Sequence, residues 1–301
     1  MKTNNKYDVI IIGGSYAGLS AAMALGRAMR HVLIIDGGKP CNWQTPHSHN
    51  FLTQDGNTPE SIARVSKAQV MQYPTIEFIE GQVIRVEGEN DRFTVYNLEG
   101  QAFAARKLLF ATGIKDLMPE IKGFADCWGI SVIHCPYCHG YEYRDEQTGI
   151  LANGDQAFEF ARLINNWTKK LTVFTNGAST INESQREQLL QLNINVIETP
   201  IREIRHIDGF LDELLFGDGS SSKMTALYAK IPFEQHSDIP AKLGCQMTDT
   251  GYIQTDDFQK TSIPGIYAAG DNSTMFRSLS ITVGAGTKAG AFINHELIAG
   301  L

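Results

Sequence analysis

The sequence predicts an α/β protein made of two units in which buried parallel strands alternate with helices. Three stretches support this prediction. Residues 8–18 and residues 149–157 each have the pattern of a strand, a glycine-containing loop and a helix start, and residues 261–271 have the pattern of a turn and a short buried strand. Alternating strands and helices are typical of doubly wound, Rossmann-like sheets. A chain of 301 residues is long enough for two domains with separate cores.

The first unit begins with a strand, a helix and a second strand. Residues 8–12 form a largely β-branched run, which is typical of a strand buried on both faces. A helix is expected to about residue 30, and residues 31–36 are expected to form the second strand. The glycine-rich loop between strand and helix is typical of a dinucleotide site, because it brings the N–H groups of a helix N-terminus to a pyrophosphate. The candidate binding residues are Gly13, Gly14, Ser15, Ala17, Gly18 and Asp36.

Two of these residues qualify the interpretation. Ser15 stands where the GxGxxG pattern has its middle glycine, and its small side chain weakens the signal without preventing the approach of a phosphate. Asp36 ends the second strand, where an acidic side chain can accept hydrogen bonds from an adenosine ribose. The alternative is an ordinary buried βαβ unit without a ligand.

The chain after this motif is expected to be irregular and then to return to the sheet. Residues 37–64 are polar and rich in turn-forming residues, so they are expected to form a functional or disordered loop, in which His47 and His49 are either functional or simply solvated. Residues 76–86 and 92–96 alternate apolar and polar side chains, which predicts an antiparallel excursion. Residues 107–113 predict a buried strand that ends in the small residues Ala111, Thr112 and Gly113, which permit a ligand to come close.

The chain is organised around residues 134–140, which contain Cys135 and Cys138 in a CxxC arrangement between two histidines. Two thiols at this spacing can form a disulfide or expose a nucleophilic thiolate. Metal ligation is the alternative, supported by His134 and His139. A structural zinc site normally needs a second pair of ligands, and the other three cysteines are scattered singly along the chain. No metal is therefore expected.

A second nucleotide-binding pattern follows the CxxC and is degraded. Pro119 and Gly123 mark the expected hinge into this second domain. Residues 149–157 predict a strand, loop and helix start, the helix runs to about residue 167, and residues 171–175 predict the next strand. Ala152 replaces the first glycine, and residues 175–177 contain neither the arginine that would hold a 2′-phosphate nor the acid that would hold a 2′-hydroxyl. We therefore expect a dinucleotide-binding shape with poor dinucleotide-binding chemistry.

The last sixth of the chain is expected to return to the first domain. After the strand that ends at Asp271, Ser280 is expected to cap a helix that runs to about Ile298. Gly284 and Gly286 are expected to permit close packing in its first turns. If a flavin lies here, the helix N-terminus directs positive charge at the edge of its ring. An ordinary docking helix is the alternative.

Composition excludes several classes of function. A net charge of −7 without a Lys/Arg cluster argues against a nucleic-acid partner. Residues 9–26 carry no charge but contain too many glycines and serines for a membrane span or a signal helix, so no membrane association is expected. Five cysteines without a signal peptide predict a cytoplasmic location in which one CxxC pair cycles.

Taken together, residues 12–18, 111–113, 135–138 and 264–271 resemble the low-molecular-weight thioredoxin reductases over nearly the whole chain. The resemblance implies a discontinuous FAD domain (residues 1–116 and 246–301) and an inserted NAD(P)-type domain (residues 117–245) that carries the redox disulfide. It implies that Cys138 faces the flavin, that Cys135 exchanges with substrate and that Asp271 holds the ribityl chain. The expected FAD site also includes the residues Asn42, His49, Gly270, Ser280 and Ile281.

Two departures point to one branch of this family. The aspartate that follows the family's CxxC is His139 here, whose ordinary pKa near neutrality suits proton transfer during catalysis. The arginines that recognise NADPH are missing, so the use of NAD(P)H stays open. Residues 135–142, with Trp128 and Gly129 before them, are more similar to the gliotoxin and holomycin dithiol oxidases.

The expectation is an FAD-dependent thiol–disulfide oxidoreductase, and a homodimer, that acts on a small dithiol or disulfide or on a thioredoxin-like protein. Dithiol oxidation by oxygen, or reduction by a donor other than NADPH, is favoured. The alternatives are an NAD(P)H-dependent thioredoxin reductase, a flavin- or nucleotide-binding sensor without turnover, and a zinc-binding module.

Overall fold

A computed structural model of the chain describes residues 6–300. The strands are β1 (Lys6–Ile12), β2 (Val32–Asp36), β3 (Ile76–Glu80), β4 (Val83–Glu89), β5 (Arg92–Asn97), β6 (Ala102–Phe110), β7 (Ile114–Asp116), β8 (Val132–Ile133), β9 (Thr148–Leu151), β10 (Leu171–Phe174), β11 (Asn195–Ile197), β12 (Ile201–Ile207), β13 (Phe210–Phe216), β14 (Ser221–Lys223), β15 (Ala226–Ala229), β16 (Phe233–Gln235) and β17 (Ile266–Ala268). The helices are α1 (Tyr16–Arg27), α2 (Pro59–Val70), α3 (Phe124–Cys127), α4 (Pro136–His139), α5 (Gly154–Ile164), α6 (Glu183–Gln191), α7 (Ile239–Lys242) and α8 (Leu279–Ala299).

The chain divides into two compact units. The first contains Met1–Trp43, Asn50–Lys115 and Phe233–Leu301, and the second contains Gln44–His49 and Asp116–Pro232. The sequence predicts that the chain returns to the first domain at residue 246, whereas in the structure the second unit ends at Pro232 and the first resumes at Phe233. The physical reason is that β16 pairs with β7, and that Ile239 and Cys245 are buried in the core of the first unit. Residues 1–5 and 301 of the predicted first domain lie outside the described residues.

The sheet of the first unit has the order β3-β2-β1-β6-β5-β4, and β17 pairs with the C-terminal half of β6. The pairs among β3, β2, β1, β6 and β17 are parallel, whereas β4, β5 and β6 are antiparallel. The predicted antiparallel excursion is therefore correct for β4 and β5 and wrong for β3. Residues 76–80 extend the parallel sheet beside β2 because their apolar residues pack below α1, where Ile76 is buried.

Strand β1 is buried on both faces, as its β-branched sequence predicts. Val9 and Ile11 contribute to the core beneath α1 and α8, while Ile10 and Ile12 contribute to the core on the opposite face. Successive side chains of a strand point to opposite faces, so a helix layer on one side and the β4–β5 hairpin on the other require an uninterrupted apolar run.

Helix α8 packs closely against α1 through glycines. A Cβ atom at Gly286 would lie 2.2 Å from the Ala17 carbonyl oxygen, and a Cβ atom at Gly290 would lie 2.6 Å from the Ala21 carbonyl oxygen. A Cβ atom at Gly284 would meet nothing within 4 Å. The predicted close packing is thus correct for Gly286 and wrong for Gly284, which is exposed.

Helix α2 was not predicted, since residues 37–64 were expected to be irregular throughout. The irregular stretch ends at Thr58, whose side chain accepts a hydrogen bond from the Ser61 N–H at 3.2 Å, with Pro59 as the first helical residue. A threonine cap followed by proline is a helix-start signal that the sequence does contain.

The second unit has a five-stranded parallel sheet in the order β11-β10-β9-β15-β8 and an antiparallel sheet in the order β12-β13-β14. Residues 217–219 lie in the turn between β13 and β14. Helix α6 begins with a capping box between Asn182 and Gln185. Within residues 6–300, none of the helices is both long and apolar enough to cross a membrane.

Candidate cofactor and redox sites

The loop after β1 forms a backbone cradle that excludes side chains. Gly13 has φ +107°, and a Cβ atom there would lie 2.2 Å from the Ala111 carbonyl oxygen. A Cβ atom at Gly18 would lie 1.9 Å from the Gly13 carbonyl oxygen. The turn, the start of α1 and the segment after β6 can approach this closely only because both positions are glycine. The structure thus brings together the two predicted glycine positions and the first residue of the Ala111–Thr112–Gly113 segment.

The N-terminus of α1 is suited to an anionic ligand. Its N-cap residue Ser15 makes no side-chain hydrogen bond to the helix, and the first turn contains no acidic residue. Asp36 accepts hydrogen bonds from the Gly14 N–H at 2.7 Å and from the Gly38 N–H at 3.3 Å. A carboxylate has about four acceptor positions, so Asp36 can still accept hydrogen bonds from ribose hydroxyls. Together with the positive end of the helix, these residues fit a dinucleotide.

Asp271 lies among polar side chains that sequence reasoning missed. Its carboxylate is 3.7 Å from the Cys41 sulfur, 3.3 Å from Thr282 Oγ1 and 3.6 Å from Arg277 Nε. The Asp271 and Arg277 side chains are mostly buried. Only the fold brings Cys41 to a residue 230 positions later, and no local pattern predicts this proximity. Gly270, before Asp271, has φ +96°, which glycine adopts without strain.

Asn272 fixes the segment around Asp271 to the end of β6. Its side chain is fully buried, and its amide donates to the Phe110 carbonyl oxygen at 2.8 Å and to Thr112 Oγ1 at 3.3 Å. Sequence reasoning missed this residue, although a polar residue shortly after the buried strand β17, which ends at Ala268, was a usable signal. Asn272 therefore holds two of the predicted cofactor segments together.

The cap of α8 was predicted incorrectly. Ser278 is the N-cap residue, and its hydroxyl oxygen accepts a hydrogen bond from the Ile281 N–H at 3.4 Å. Ser280 instead donates to the Asn50 carbonyl oxygen at 3.0 Å, because it already lies inside the helix. The Ile281 side chain is exposed.

The two remaining candidate residues lie in different units. Asn42, in the first unit, hydrogen-bonds to the Tyr16 hydroxyl; burial raises the pKa of Tyr16, and this bond opposes the rise. His49 belongs to the second unit, where its Nε2 atom lies 3.5 Å from Glu142 Oε1. The assignment of His49 to the cofactor therefore stays a prediction.

Cys135 and Cys138 form a disulfide whose Cα atoms are 5.3 Å apart. Cys135 is the N-cap residue of α4, and Pro136 starts the helix with a favourable backbone angle. Both cysteines are partly exposed, and Tyr137 between them is 64% exposed. The Tyr137 ring packs edge-on against Trp167, with ring centroids 5.5 Å apart. An accessible disulfide beside an aromatic surface can exchange with a substrate thiol.

His139 has a much lower basicity than expected. Burial, and secondarily the charge of His49, lower its pKa to about 4. The expectation of a pKa near neutrality is wrong for this structure, because a partly buried imidazole loses the hydration of its charged form. At neutral pH His139 is therefore an unprotonated imidazole and a weak base.

A column of aromatic rings supports the backbone before Cys135. Trp128 stacks on Phe124 with centroids 5.7 Å apart and on His134 with centroids 5.8 Å apart. Its indole N–H donates to Asp116 Oδ2 at 3.1 Å. His134 is therefore partly buried against Trp128, next to Cys135 in the sequence. Among residues 6–300, there is no group of three or more His, Cys, Asp or Glu side chains arranged to hold a metal ion.

The N-terminus of α5, the second nucleotide-binding pattern, is occupied by the chain itself. The Asn153 side-chain oxygen accepts hydrogen bonds from the Gly154 N–H at 2.8 Å, the Thr180 N–H at 2.8 Å and the Thr180 hydroxyl at 3.2 Å. Asp155 places a carboxylate in the first turn and accepts from the Gln185 amide at 2.7 Å. An amide oxygen and a carboxylate in this position oppose a pyrophosphate, so these residues do not fit NAD(P)H as α1 fits a dinucleotide.

Comparisons with known proteins agree with this architecture. The sequence profile of the family described as pyridine nucleotide-disulphide oxidoreductase matches residues 7–287. The chain is 32% identical to thioredoxin reductase tcpT of Claviceps purpurea, covering 100% of this chain and 97% of the relative. It is 32% identical to thioredoxin reductase sirT of Leptosphaeria maculans, covering 97% and 94%. The crystal structure of an oxidoreductase from Agrobacterium tumefaciens superposes with a TM-score of 0.92 at 37% identity, covering 98% and 99%. The chain therefore belongs to the pyridine nucleotide-disulphide oxidoreductase family, as a thioredoxin reductase-like enzyme that uses FAD.

Proposed function

We propose that the protein oxidises a dithiol through the Cys135–Cys138 disulfide and FAD, without NAD(P)H as the electron donor. The observation that carries this proposal is the contrast between the two helix N-termini. That of α1 has neither a side-chain cap nor an acidic first turn, whereas that of α5 is capped by Asn153 and carries Asp155. A dinucleotide gains hydrogen bonds and dipole stabilisation at α1 but meets competing oxygen atoms at α5.

In this proposal, the first unit holds the cofactor. The N–H groups at the start of α1 bind the pyrophosphate, Asp36 binds the adenosine ribose, and Asp271 binds the ribityl chain. Gly13 and Gly18 keep the backbone close enough for these contacts, and Asn272 fixes the position of Asp271 relative to residues 110–112. When bound, FAD accepts two electrons and passes them to oxygen or to another acceptor.

The disulfide performs the exchange with substrate. A substrate thiolate attacks the Cys135 sulfur, the bond between Cys135 and Cys138 breaks, and Cys138 leaves as a thiolate. The second substrate thiolate then attacks the substrate sulfur of the mixed disulfide and releases Cys135, so that the substrate becomes a disulfide and the enzyme a dithiol. Two electrons pass from substrate to enzyme, and the thiol proton is lost to solvent or to the neutral, weakly basic imidazole of His139.

The proposed substrate is a small dithiol. Tyr137 and Trp167 place aromatic surface beside the disulfide, which suits a compact apolar molecule that presents both thiols together. A thioredoxin-like protein is the alternative substrate, and NAD(P)H-dependent reduction is the alternative reaction. Both are supported by the names of the relatives from Claviceps and Leptosphaeria, which are called thioredoxin reductases. A homodimer is part of the proposal and is tested by sedimentation of the FAD-loaded protein.

Anaerobic stopped-flow spectroscopy of the FAD-loaded protein tests the reaction. The flavin absorbance is followed after mixing with NADPH, with NADH and with a small dithiol such as dithiothreitol. We expect bleaching by the dithiol, little bleaching by either nicotinamide, and recovery of the absorbance with peroxide formation when oxygen is admitted. Rapid bleaching by micromolar NADPH or NADH would contradict the proposal and would identify the protein as a reductase.

A further inference from the structure

The Trp167 indole packs against the turn that contains Cys135 and Cys138. A Cβ atom at Gly140, two residues after Cys138, would lie 2.9 Å from both the Cδ1 and the Nε1 atom of Trp167. The indole therefore occupies the space that a side chain at Gly140 would need. It also contacts the Tyr137 ring, with ring centroids 5.5 Å apart and an angle of 87° between the ring planes. Trp167 thus touches the turn both between the two cysteines and just after them.

The backbone of Trp167 is held in place on both sides. Its N–H donates to the carbonyl oxygen of Ile164, the last residue of α5, at 2.9 Å, and its carbonyl oxygen accepts from the Asp145 N–H at 3.0 Å. The next residue, Thr168, is buried, and its hydroxyl donates to the Glu146 carbonyl oxygen at 2.8 Å. The indole is therefore fixed relative to α5 and to the chain that follows the CxxC.

The Tyr137 ring, in contrast, is open to a ligand. It lies between the two cysteines and is 64% exposed. In an edge-to-face pair each ring covers only part of the other, so the contact with Trp167 leaves most of the Tyr137 ring available. The Cα atoms of Cys135 and Tyr137 can be at most about 7 Å apart, which is close to the length of a tyrosine side chain. A substrate bonded to the Cys135 sulfur is therefore within reach of the exposed ring.

We propose that Tyr137 is a specificity-determining residue of the dithiol reaction and that Trp167 is the positioning residue that holds its ring beside the disulfide. The pair selects dithiols whose two sulfur atoms are carried on an aromatic or similarly flat apolar ring. This inference rests on the proposed dithiol oxidation.

The physical basis is contact between the substrate ring and a ring that is already in position. An aromatic substrate removes apolar surface of its own and of Tyr137 from water, and it gains the favourable geometry of an aromatic pair. A dithiol that carries hydroxyl groups gains less, because those groups lose hydration against an apolar surface. Without Trp167 the Tyr137 side chain would have to be ordered during binding, at a cost in conformational entropy. Loss of either residue should therefore weaken recognition of the aromatic substrate.

The test compares two dithiols that differ in the group that carries the sulfur atoms. Dithiothreitol carries two hydroxyl groups, whereas ortho-xylylene dithiol carries a benzene ring, and each closes a six-membered cyclic disulfide when it is oxidised. Anaerobic flavin bleaching is followed in the FAD-loaded wild type, in Tyr137→Ser, in Tyr137→Phe and in Trp167→Leu. Each rate is divided by the rate at which the same dithiol reduces oxidised glutathione, which corrects for the intrinsic reactivity of its thiols.

The matched control is Tyr141→Ser. Tyr141 belongs to the same turn and is 67% exposed, but Arg144 packs over its ring at 4.1 Å. Tyr137→Ser changes a side chain that is mostly exposed, so it decides the specificity role even if Trp167→Leu is destabilised.

After the correction, the wild type should prefer the aromatic dithiol by roughly three- to tenfold, the size expected for one aromatic contact. Tyr137→Ser and Trp167→Leu should lose this preference. The loss should affect the half-saturating concentration more than the limiting rate, because the ring contact is made both before and during the exchange. Tyr137→Phe should keep the preference, since the ring and not the hydroxyl makes the contact, and Tyr141→Ser should match the wild type.

The outcomes separate this inference from the proposed function. If neither dithiol bleaches the wild-type flavin, the proposed function fails and the specificity role with it. If both dithiols react, and the preference is absent from the wild type or persists in Tyr137→Ser, only the present inference is overturned. A preference that is lost in Tyr137→Ser but kept in Trp167→Leu would overturn the positioning role of Trp167.

Discussion

The ammonium group of Lys107 lies 3.5 Å from Glu296 Oε2, although the Lys107 side chain is fully buried. Glu296 also forms an ion pair with Lys260. Strand β6 and helix α8 are thus joined by charges inside the first unit, where an unpaired ion would be costly.

Replacing Glu296 with Gln should destabilise the protein by about 1 to 3 kcal/mol at pH 7, because the buried Lys107 loses its nearer carboxylate and keeps Asp91 at 4.0 Å and the Asn90 side chain at 2.7 Å. Burial raises the pKa of Glu296. The hydrogen bonds from Lys260 and Tyr267 and the charges of the lysines lower it by a larger amount in total, so the net shift of the pKa is downward. A carboxyl group whose pKa is lowered by folding stabilises the folded state above its unfolded pKa of about 4.3, and this stabilisation is lost as the pH falls further. The difference in melting temperature between wild type and variant should therefore be constant above pH ~5 and shrink below pH ~4. A difference that grows on acidification would contradict this assignment.

Replacing Gly286 with Ala should separate α8 from α1, since the added Cβ atom would lie 2.2 Å from the Ala17 carbonyl oxygen. We expect a loss of about 1 to 3 kcal/mol in the free energy of unfolding. Gly284→Ala is the matched control on the same helix, where the Cβ atom meets nothing within 4 Å and should instead stabilise the helix by about 0.5 to 1 kcal/mol. Urea unfolding at fixed FAD concentration measures both. If the two substitutions changed the free energy of unfolding equally, the close contact between α8 and α1 at Gly286 would not contribute to stability.

Replacing Asn272 with Leu should weaken the cofactor site. The substitution removes one of two hydrogen bonds to the buried Phe110 carbonyl oxygen, the one from Asn272 at 2.8 Å, and leaves the one from the Ala269 N–H at 3.0 Å, so the loss should be about 0.5 to 1.5 kcal/mol. Because the same amide also contacts Thr112, we expect faster FAD loss during gel filtration, measured as the ratio of flavin to protein absorbance. Asn97, another buried asparagine of the first unit, donates to Gln101 instead, so Asn97→Leu should change stability without selectively releasing FAD. If Asn272→Leu and Asn97→Leu had the same stability and retained FAD equally well, the proposed role of Asn272 at the cofactor site would be refuted.

Replacing Cys138 with Ser should leave FAD bound and abolish dithiol turnover, since no disulfide can form with Cys135. Cys127→Ala is the control in the same unit, because burial raises the pKa of the Cys127 thiol to about 11 and so suppresses its thiolate. Oxygen consumption with dithiothreitol measures both variants. Full dithiol activity in Cys138→Ser would refute the mechanism.

The sequence alone determined the fold class, and it predicted where the chemistry takes place. The β-branched run of β1, the glycines at residues 13 and 18 and the CxxC are local features, and each imposes its structure through steric limits on a few consecutive residues. The degraded second nucleotide-binding pattern could likewise be recognised from Ala152 and from residues 175–177. The start of α2 was also encoded locally, at Thr58 and Pro59, but it was outweighed by the polar composition around it.

Only the tertiary structure decided which distant side chains meet. The proximity of Cys41 to Asp271, of Asn272 to Phe110 and of Lys107 to Glu296 depends on the packing of segments more than 150 residues apart. The same holds for the proximity of His49 to Glu142, which are 93 residues apart in the sequence, and the predicted role of His49 at the cofactor stays a prediction. The low pKa of His139 has the same origin, because burial and the charge of a distant residue act through space and leave no local pattern in the sequence.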